Sequence, residues 1–300
     1  MIVGLFFLAA GLLGGEELSD SSGKRIESRW LSVAGIRVHY RQTRGVSRER
    51  LPVLFVHGWM GSSYDFVDLM QHLPDRFLAV APDLPGCGRS QKSGFEFTPD
   101  YYIRFLGEFL SALGISQAVV VGHSMGGGLT VNFAVRQPES VQRLVLIAPD
   151  GLRGEEGFLE VVRSLGLLVD LGTGLNNRIA IEIALRLNVF HNLDYASREF
   201  IDSVAETSLS PGARRAQAKI TKQVLGQSPV DDLLPSLKLP TLIIWGDHDR
   251  VLSPRWAGEY AKRIPGARLL MIPDSGHMPQ IEAAKRVSGE ISDFVTASTR

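Results

Sequence analysis

From about Trp30 onward, short runs of β-branched and other apolar residues alternate with longer stretches in which apolar positions recur every three or four residues. "LSVAGIRVHYRQ" reads as a hairpin, and "VLFVH" (Val53 to His57) and "FLAVAPD" (Phe77 to Asp83) read as buried strands. A helix is expected over Thr98 to Leu113: Thr98 and Pro99 open it, and Ile103, Leu106, Phe109, Leu110 and Leu113 share one face. The strand "AVVVG", a helix from about Met125 to Arg136 and the strand "LVLIAP" follow.

Past Pro149 the alternation stops. From Gly151 to about Pro229 the pattern is helical only, in segments such as "GFLEVVRSLGLLVDL" and "RIAIEIALRLNVF". It resumes with "LPTLIIWGD", a helix near Pro254 to Ile264, "ARLLMIP" and a closing helix to about Val295. The expected architecture is a mostly parallel α/β sheet flanked by helices, with a helical insertion between two strands. Residues 28–150 and 230–300 form its core, and residues 151–229 form a helical cap or lid. Leu, Ile and Val in the insertion suit either an apolar pocket or simple packing onto the sheet.

The amino end departs from this pattern. Residues 1–20 open with "IVGLFFLAAGLL", apolar throughout, followed by a polar stretch. A helical span needs about 20 apolar residues, so the segment suits a signal core or membrane anchor, or a helix packed on the protein itself. It has no Lys or Arg ahead of the apolar run, and Ala9 with Gly11 makes a weak cleavage site. As a signal or anchor it makes the protein exported or membrane-associated, with membrane contact through this segment; otherwise the protein is cytoplasmic.

Composition narrows the partners. Lys and Arg total 32, as do Asp and Glu, which removes the electrostatic reason to expect nucleic acid. A small, neutral substrate is easier to accommodate. Cys87 is the single cysteine, so no internal disulfide forms, and no cluster of metal-ligand spacings points to zinc.

The candidate chemistry begins at Gly122-His123-Ser124-Met125-Gly126. This G-x-S-x-G spacing lies between a strand and a helix, the context in which a strained turn projects one serine. A serine hydroxyl needs a base, and His277, in "IPDSGHMPQIE" after the last strand, is the candidate. The other histidines fit structural roles: His39 in a hairpin, His57 in a turn, His72 in a surface helix, His123 beside the serine, His191 in the insertion and His248 in a loop. The carboxylate that orients the base is assigned to Asp249 in "IIWGDHDRVLSP", with Asp247 as competitor and Asp150 as a further alternative. Backbone N–H groups must meet the charge that develops on the substrate oxygen. Met125 supplies one and Trp59, in "HGWMGSSYDF", the second, with Met60 as runner-up.

Together, the H-G-x loop, the serine motif, "DLPGCGRS" (Asp83 to Ser90), "WGDHDRVLSP" and "SGHMPQIE" resemble the serine-triad, helically capped branch of the α/β-hydrolase family, from about Trp30 to the C-terminus. In that loop Cys87 fills a variable position and reads as an ordinary small side chain. Ser124 stands where dehalogenases and epoxide hydrolases of the branch carry Asp, and Met278 stands where carbon–carbon bond hydrolases typically carry Trp. The resemblance is greatest to monoacylglycerol-lipase-like carboxylesterases. It implies a serine hydrolase acting on a small-molecule ester or lipid through an acyl-enzyme, without metal or organic cofactor. The alternatives are a carbon–carbon bond hydrolase of the meta-cleavage-product type on the same triad, and a ligand receptor on a hydrolase scaffold.

Overall fold

The structure, a computed structural model, describes residues 17–19, 25–44, 50–154, 178–225, 227 and 229–297. Among them, nine strands form one sheet: β1 (Glu17–Ser19), β2 (Arg25–Val33), β3 (Ile36–Thr43), β4 (Leu51–Val56), β5 (Phe77–Pro82), β6 (Ala118–His123), β7 (Val141–Ile147), β8 (Thr241–Gly246) and β9 (Arg268–Ile272). Their order is β1-β2-β3-β5-β4-β6-β7-β8-β9. The first three strands form an antiparallel edge, and β5, β4, β6, β7, β8 and β9 run parallel.

The central strands read as continuous apolar runs because both faces are covered. Leu54, Val56, Val120, Leu144, Leu146, Ile243 and Trp245 point into one core. It is covered by α2 (Pro99–Ala112), α3 (Met125–Arg136) and α7 (Arg255–Arg263). The alternate residues Val53, Phe55, Val119, Val121, Val145, Ile147, Leu242 and Ile244 point into a second core, against α1 (Val67–His72) and α9 (Ala284–Thr296). The sheet, its flanking helices and their order follow the expectation closely. Thr98 caps α2 by accepting from the Tyr101 N–H, and α3 spans the expected residues.

The antiparallel edge is longer than expected: β2 begins at Arg25, and β1 lies within residues 1–20. β1 is a three-residue edge strand of Glu, Leu and Ser, held by pairing to β2 rather than by an apolar pattern of its own. The apolar run at residues 2–13 lies outside the described residues, as does "GFLEVVRSLGLLVDL". Among the described residues no helix is long and apolar enough to cross a membrane.

Between β7 and β8 the described insertion is helical: α4 (Arg178–Ala184), a π-turn at Leu185–Val189, α5 (Arg198–Ser208) and α6 (Ala213–Gln223). Much of its apolar surface packs downward. Phe190, Phe200, Ile201 and Val204 meet Met278 and Ile281, and Ala216 and Ile220 join the core above α2. Ile179, Ile183 and Leu187, at helical spacing, remain exposed.

Candidate active site

The parallel strands β4, β6, β7, β8 and β9 end on the same edge of the sheet, so the loops that follow them converge, as ligand-binding loops do in sheets of this kind. Ser124 follows β6 directly, with φ 52° and ψ −125°. A non-glycine residue in this region stores roughly 1–3 kcal/mol of strain. Two close approaches explain the glycines around it. A Cβ at Gly126 would sit 2.3 Å from the Val56 carbonyl oxygen, and one at Gly58 would sit 2.9 Å from the Ser124 Cβ. The loop after β4 therefore lies directly against the serine turn.

His277 and Asp249 are brought together. The His277 Nδ1–H donates to Asp249 Oδ2 at 2.8 Å, and both side chains are buried. The other oxygen of Asp249 accepts from the Val251 and Leu252 N–H groups at 2.8 and 2.9 Å, so both carboxylate oxygens are engaged. Asp247 is directed elsewhere, with its Oδ1 2.6 Å from His248 Nδ1. Asp150 follows β7, and its carboxyl lies near Gly128 at the start of α3. Burial pushes Asp150 up to about 7, with the neighbouring His277 pulling the other way.

The main-chain N–H groups of Met125 and Trp59 donate to no protein acceptor among the described residues. Met125 opens α3, whose first N–H groups lack partners within the helix. Trp59 lies in the turn closed by the Gly61 N–H to Gly58 O bond at 3.1 Å, and Met60 takes the left-handed φ of 58° in that turn.

The remaining sequence motifs brace these loops. His57 is fully buried: its Nδ1–H donates to Gly58 O at 2.8 Å, and its Nε2 accepts from the Leu84 N–H at 2.9 Å. Burial lowers its pKa, which suits a neutral structural imidazole. Asp83 accepts from His39 Nδ1 and from the Ser63 and Arg89 N–H groups. Burial alone would raise its pKa, but these partners hold it well below the usual carboxylate range. The Cys87 thiol is buried and pushed up to about 12 by desolvation.

Residue type and spacing do not single out three further contacts around the site. The His123 Nε2–H donates to the His277 carbonyl at 2.9 Å, and burial keeps this imidazole far below its ordinary pKa. The His277 N–H donates to Val189 O of the insertion at 2.8 Å. Glu282, at the end of α8 (Pro279–Glu282), accepts from the Gly276, His191 and Asn192 N–H groups at 2.7, 2.8 and 2.9 Å. One buried carboxylate thus joins the histidine loop to the insertion. The only signal for it is its place five residues after His277.

A family model described as alpha/beta hydrolase fold matches residues 52–284. A Bacillus subtilis protein named uncharacterized hydrolase YugF is 27% identical over 277 residues, covering 89% of this chain and 97% of that one. Lipase 1 of Psychrobacter immobilis is 27% identical over 284 residues, covering 90% of this chain and 84% of that protein. Among solved structures, a meta-cleavage product hydrolase from Pseudomonas fluorescens superposes with a TM-score of 0.72 at 24% identity, covering 89% of this chain and 96% of that one. That likeness is one of fold.

Proposed function

The chain belongs to the α/β-hydrolase family and is an enzyme, and from that premise we propose that it hydrolyses carboxylic esters through an acyl-enzyme on Ser124. The observation that carries this reading is the bond from the His277 Nδ1–H to Asp249, which leaves Nε2 as the proton acceptor on the side away from the acid.

In the first half-reaction His277 Nε2 takes the Ser124 hydroxyl proton while Oγ attacks the ester carbonyl. The Met125 and Trp59 N–H groups receive the oxyanion, and Asp249 stabilises the imidazolium. Collapse expels the alcohol, which leaves with the proton from His277. Water then attacks the acyl-enzyme, gives its proton to His277 and releases the acid and Ser124. The cycle balances without metal or organic cofactor.

The described part of the insertion, from Arg178 to Leu225, acts as a cap over this site, and the apolar run at residues 2–13 offers membrane contact to an enzyme whose substrate is a lipid ester. Deleting Met1 to Gly15 and following membrane partitioning tests that part alone. Met278 packs under the insertion with Ile281 and Phe200; it occupies the position where carbon–carbon hydrolases of the fold typically carry tryptophan, which favours the ester reading.

The test is labelling with a fluorophosphonate, together with turnover of p-nitrophenyl esters of increasing acyl length. Ser124→Ala is expected to abolish both. Wild-type protein that neither labels nor turns over any ester would overturn the reading. Activity confined to vinylogous diketones would transfer the same residues to carbon–carbon hydrolysis.

A further inference from the structure

Beside the candidate active site, three loops that are distant in sequence place two imidazoles and a carboxylate together. His191 comes from the insertion, His248 from the loop after β8, and Asp274 from the loop after β9. One ligand atom from each lies within 4.8 Å of the others. We propose that these three side chains form a binding site for a divalent transition-metal ion, with zinc the expected occupant, which fastens the insertion to the two loops that carry Asp249 and His277.

The donor set fits that ion. Two imidazole nitrogens and one carboxylate oxygen are borderline ligands that favour zinc and its neighbours over calcium or magnesium, which prefer oxygen alone. Ligands at about 2.0–2.1 Å from a tetrahedral ion lie roughly 3.3 Å apart. The present separation therefore needs a small inward rotation, which the exposed His248 and Asp274 side chains allow. Water would complete the coordination.

Each ligand is also prepared by its surroundings. The bond between His248 Nδ1 and Asp247 Oδ1, 2.6 Å long, leaves Nε2 free to ligate. A carboxylate behind an imidazole is the arrangement that orients metal-bound histidines and raises their basicity. The His191 backbone is pinned by its N–H bond to Glu282, while its Nδ1 is buried with no hydrogen-bond partner among the described residues. The two rings are in contact but tilted, with centroids 4.0 Å apart and planes 31° apart. Asp274 takes a left-handed φ of 55°, a strained setting for a non-glycine residue. No spacing motif betrays the site, because residues 191, 248 and 274 meet only through the fold. The inference is independent of which bond Ser124 cleaves.

The experiment uses the untagged, chelator-stripped full chain, titrated with zinc chloride in a calorimeter and with cobalt(II) in an absorption cell. One zinc per chain is expected, with a visible cobalt band of low-coordinate intensity and a raised melting temperature. His191→Ala and His248→Ala should each weaken zinc binding at least tenfold and abolish the thermal shift. Asp247→Asn should weaken it about tenfold or more, because the His248 ring loses the carboxylate that orients it, and His72→Ala should change nothing. Circular dichroism reports that each variant is folded. Substoichiometric zinc, or binding that survives both His191→Ala and His248→Ala, overturns the proposal. Stoichiometric binding that leaves the melting temperature unmoved overturns the fastening role.

Discussion

Replacing Asp249 by Asn probes the candidate triad while changing almost no volume. Oδ1 of Asp249 accepts two backbone N–H bonds, from Val251 and Leu252. An asparagine must keep its oxygen there, because an amide NH2 facing two donors would leave all of them unsatisfied. Its NH2 is then aimed at His277 Nδ1, where the carboxylate Oδ2 now accepts at 2.8 Å. Two donors cannot face each other, so the imidazole changes tautomer: Nδ1 accepts from the amide and Nε2 carries the proton. In that state Nε2 cannot take the Ser124 proton. A misplaced tautomer of this kind costs about 10⁴ in kcat, roughly 5.5 kcal/mol at the transition state. KM should move little, since Asp249 is buried behind the histidine, and the retained backbone bonds should hold the melting temperature within a few degrees. The assay is steady-state hydrolysis of a short p-nitrophenyl ester by Asp249→Asn, with Asp247→Asn alongside in chelator-treated buffer. Asp247 meets His248 rather than His277, so its variant should stay within about threefold of wild type, there being no tautomer to lose. Retention of more than a tenth of wild-type kcat by Asp249→Asn, or an equal fall in Asp247→Asn, would refute the reasoning.

Three further outcomes are expected. Glu282→Ala strands three backbone N–H groups that now share one buried carboxylate; with bonds to charged groups worth about 1.5–3 kcal/mol each and their sum less than additive, a loss of about 3 kcal/mol is expected by urea unfolding, with a fall in kcat. A loss below about 0.5 kcal/mol, the scale of an ordinary surface substitution, would show the bridge to be incidental. Burial pushes Asp65 up to about 8, only partly offset by the Ser62 N–H. Its folded state therefore holds a proton that the unfolded chain loses near its ordinary 3.8, so this stability is complete below that value and declines as pH rises to about 8. Asp65→Asn should flatten that decline in unfolding free energies measured across the range, and an unchanged slope would count against it. Finally, the Cys87 thiol, buried and pushed up to about 12, should resist a disulfide reagent in native protein and react at once in denaturant; rapid native labelling would contradict its burial.

The parts of this molecule that were legible in the sequence are those written locally. β6, the serine turn and α3 follow from an apolar run, flanking glycines and a resumed helical period within about twenty residues. Ser124, Asp249 and His277, after β6, β8 and β9, can be proposed together from sequence because strand ends bring distant residues to one edge. Spacing alone favours Asp249 over Asp247 as the proposed acid; in space they differ in that Asp249 faces His277 Nδ1 while Asp247 faces His248 Nδ1. Glu282 closes the motif "SGHMPQIE", but its role is not legible there, for a definite reason. Its partners are backbone N–H groups of Gly276, His191 and Asn192, and a backbone donor leaves no trace in residue type. β1 was missed on similar grounds, since an edge strand held by ladder bonds needs no apolar alternation.

The bonds that hold the insertion bear on how substrate would reach Ser124. Val189 O holds the His277 N–H, Glu282 holds His191 and Asn192, and Trp59 Nε1 donates to Thr221 Oγ1 in α6 at 2.9 Å. The insertion is thereby bonded to the histidine loop and to the loop that offers the Trp59 N–H. Swinging the whole insertion away would break four such bonds, at about 1 kcal/mol net for each neutral one and more for those to Glu282. It would also expose Phe190, Phe200 and Ile201, each worth about 1.5–3 kcal/mol when fully buried. A state several kcal/mol above the closed one is populated well below one part in a thousand, and it would release the backbone that positions His277. Productive binding is therefore expected with the anchors at Val189, His191, Asn192 and Thr221 intact, so that the insertion contributes to the order of the proposed site.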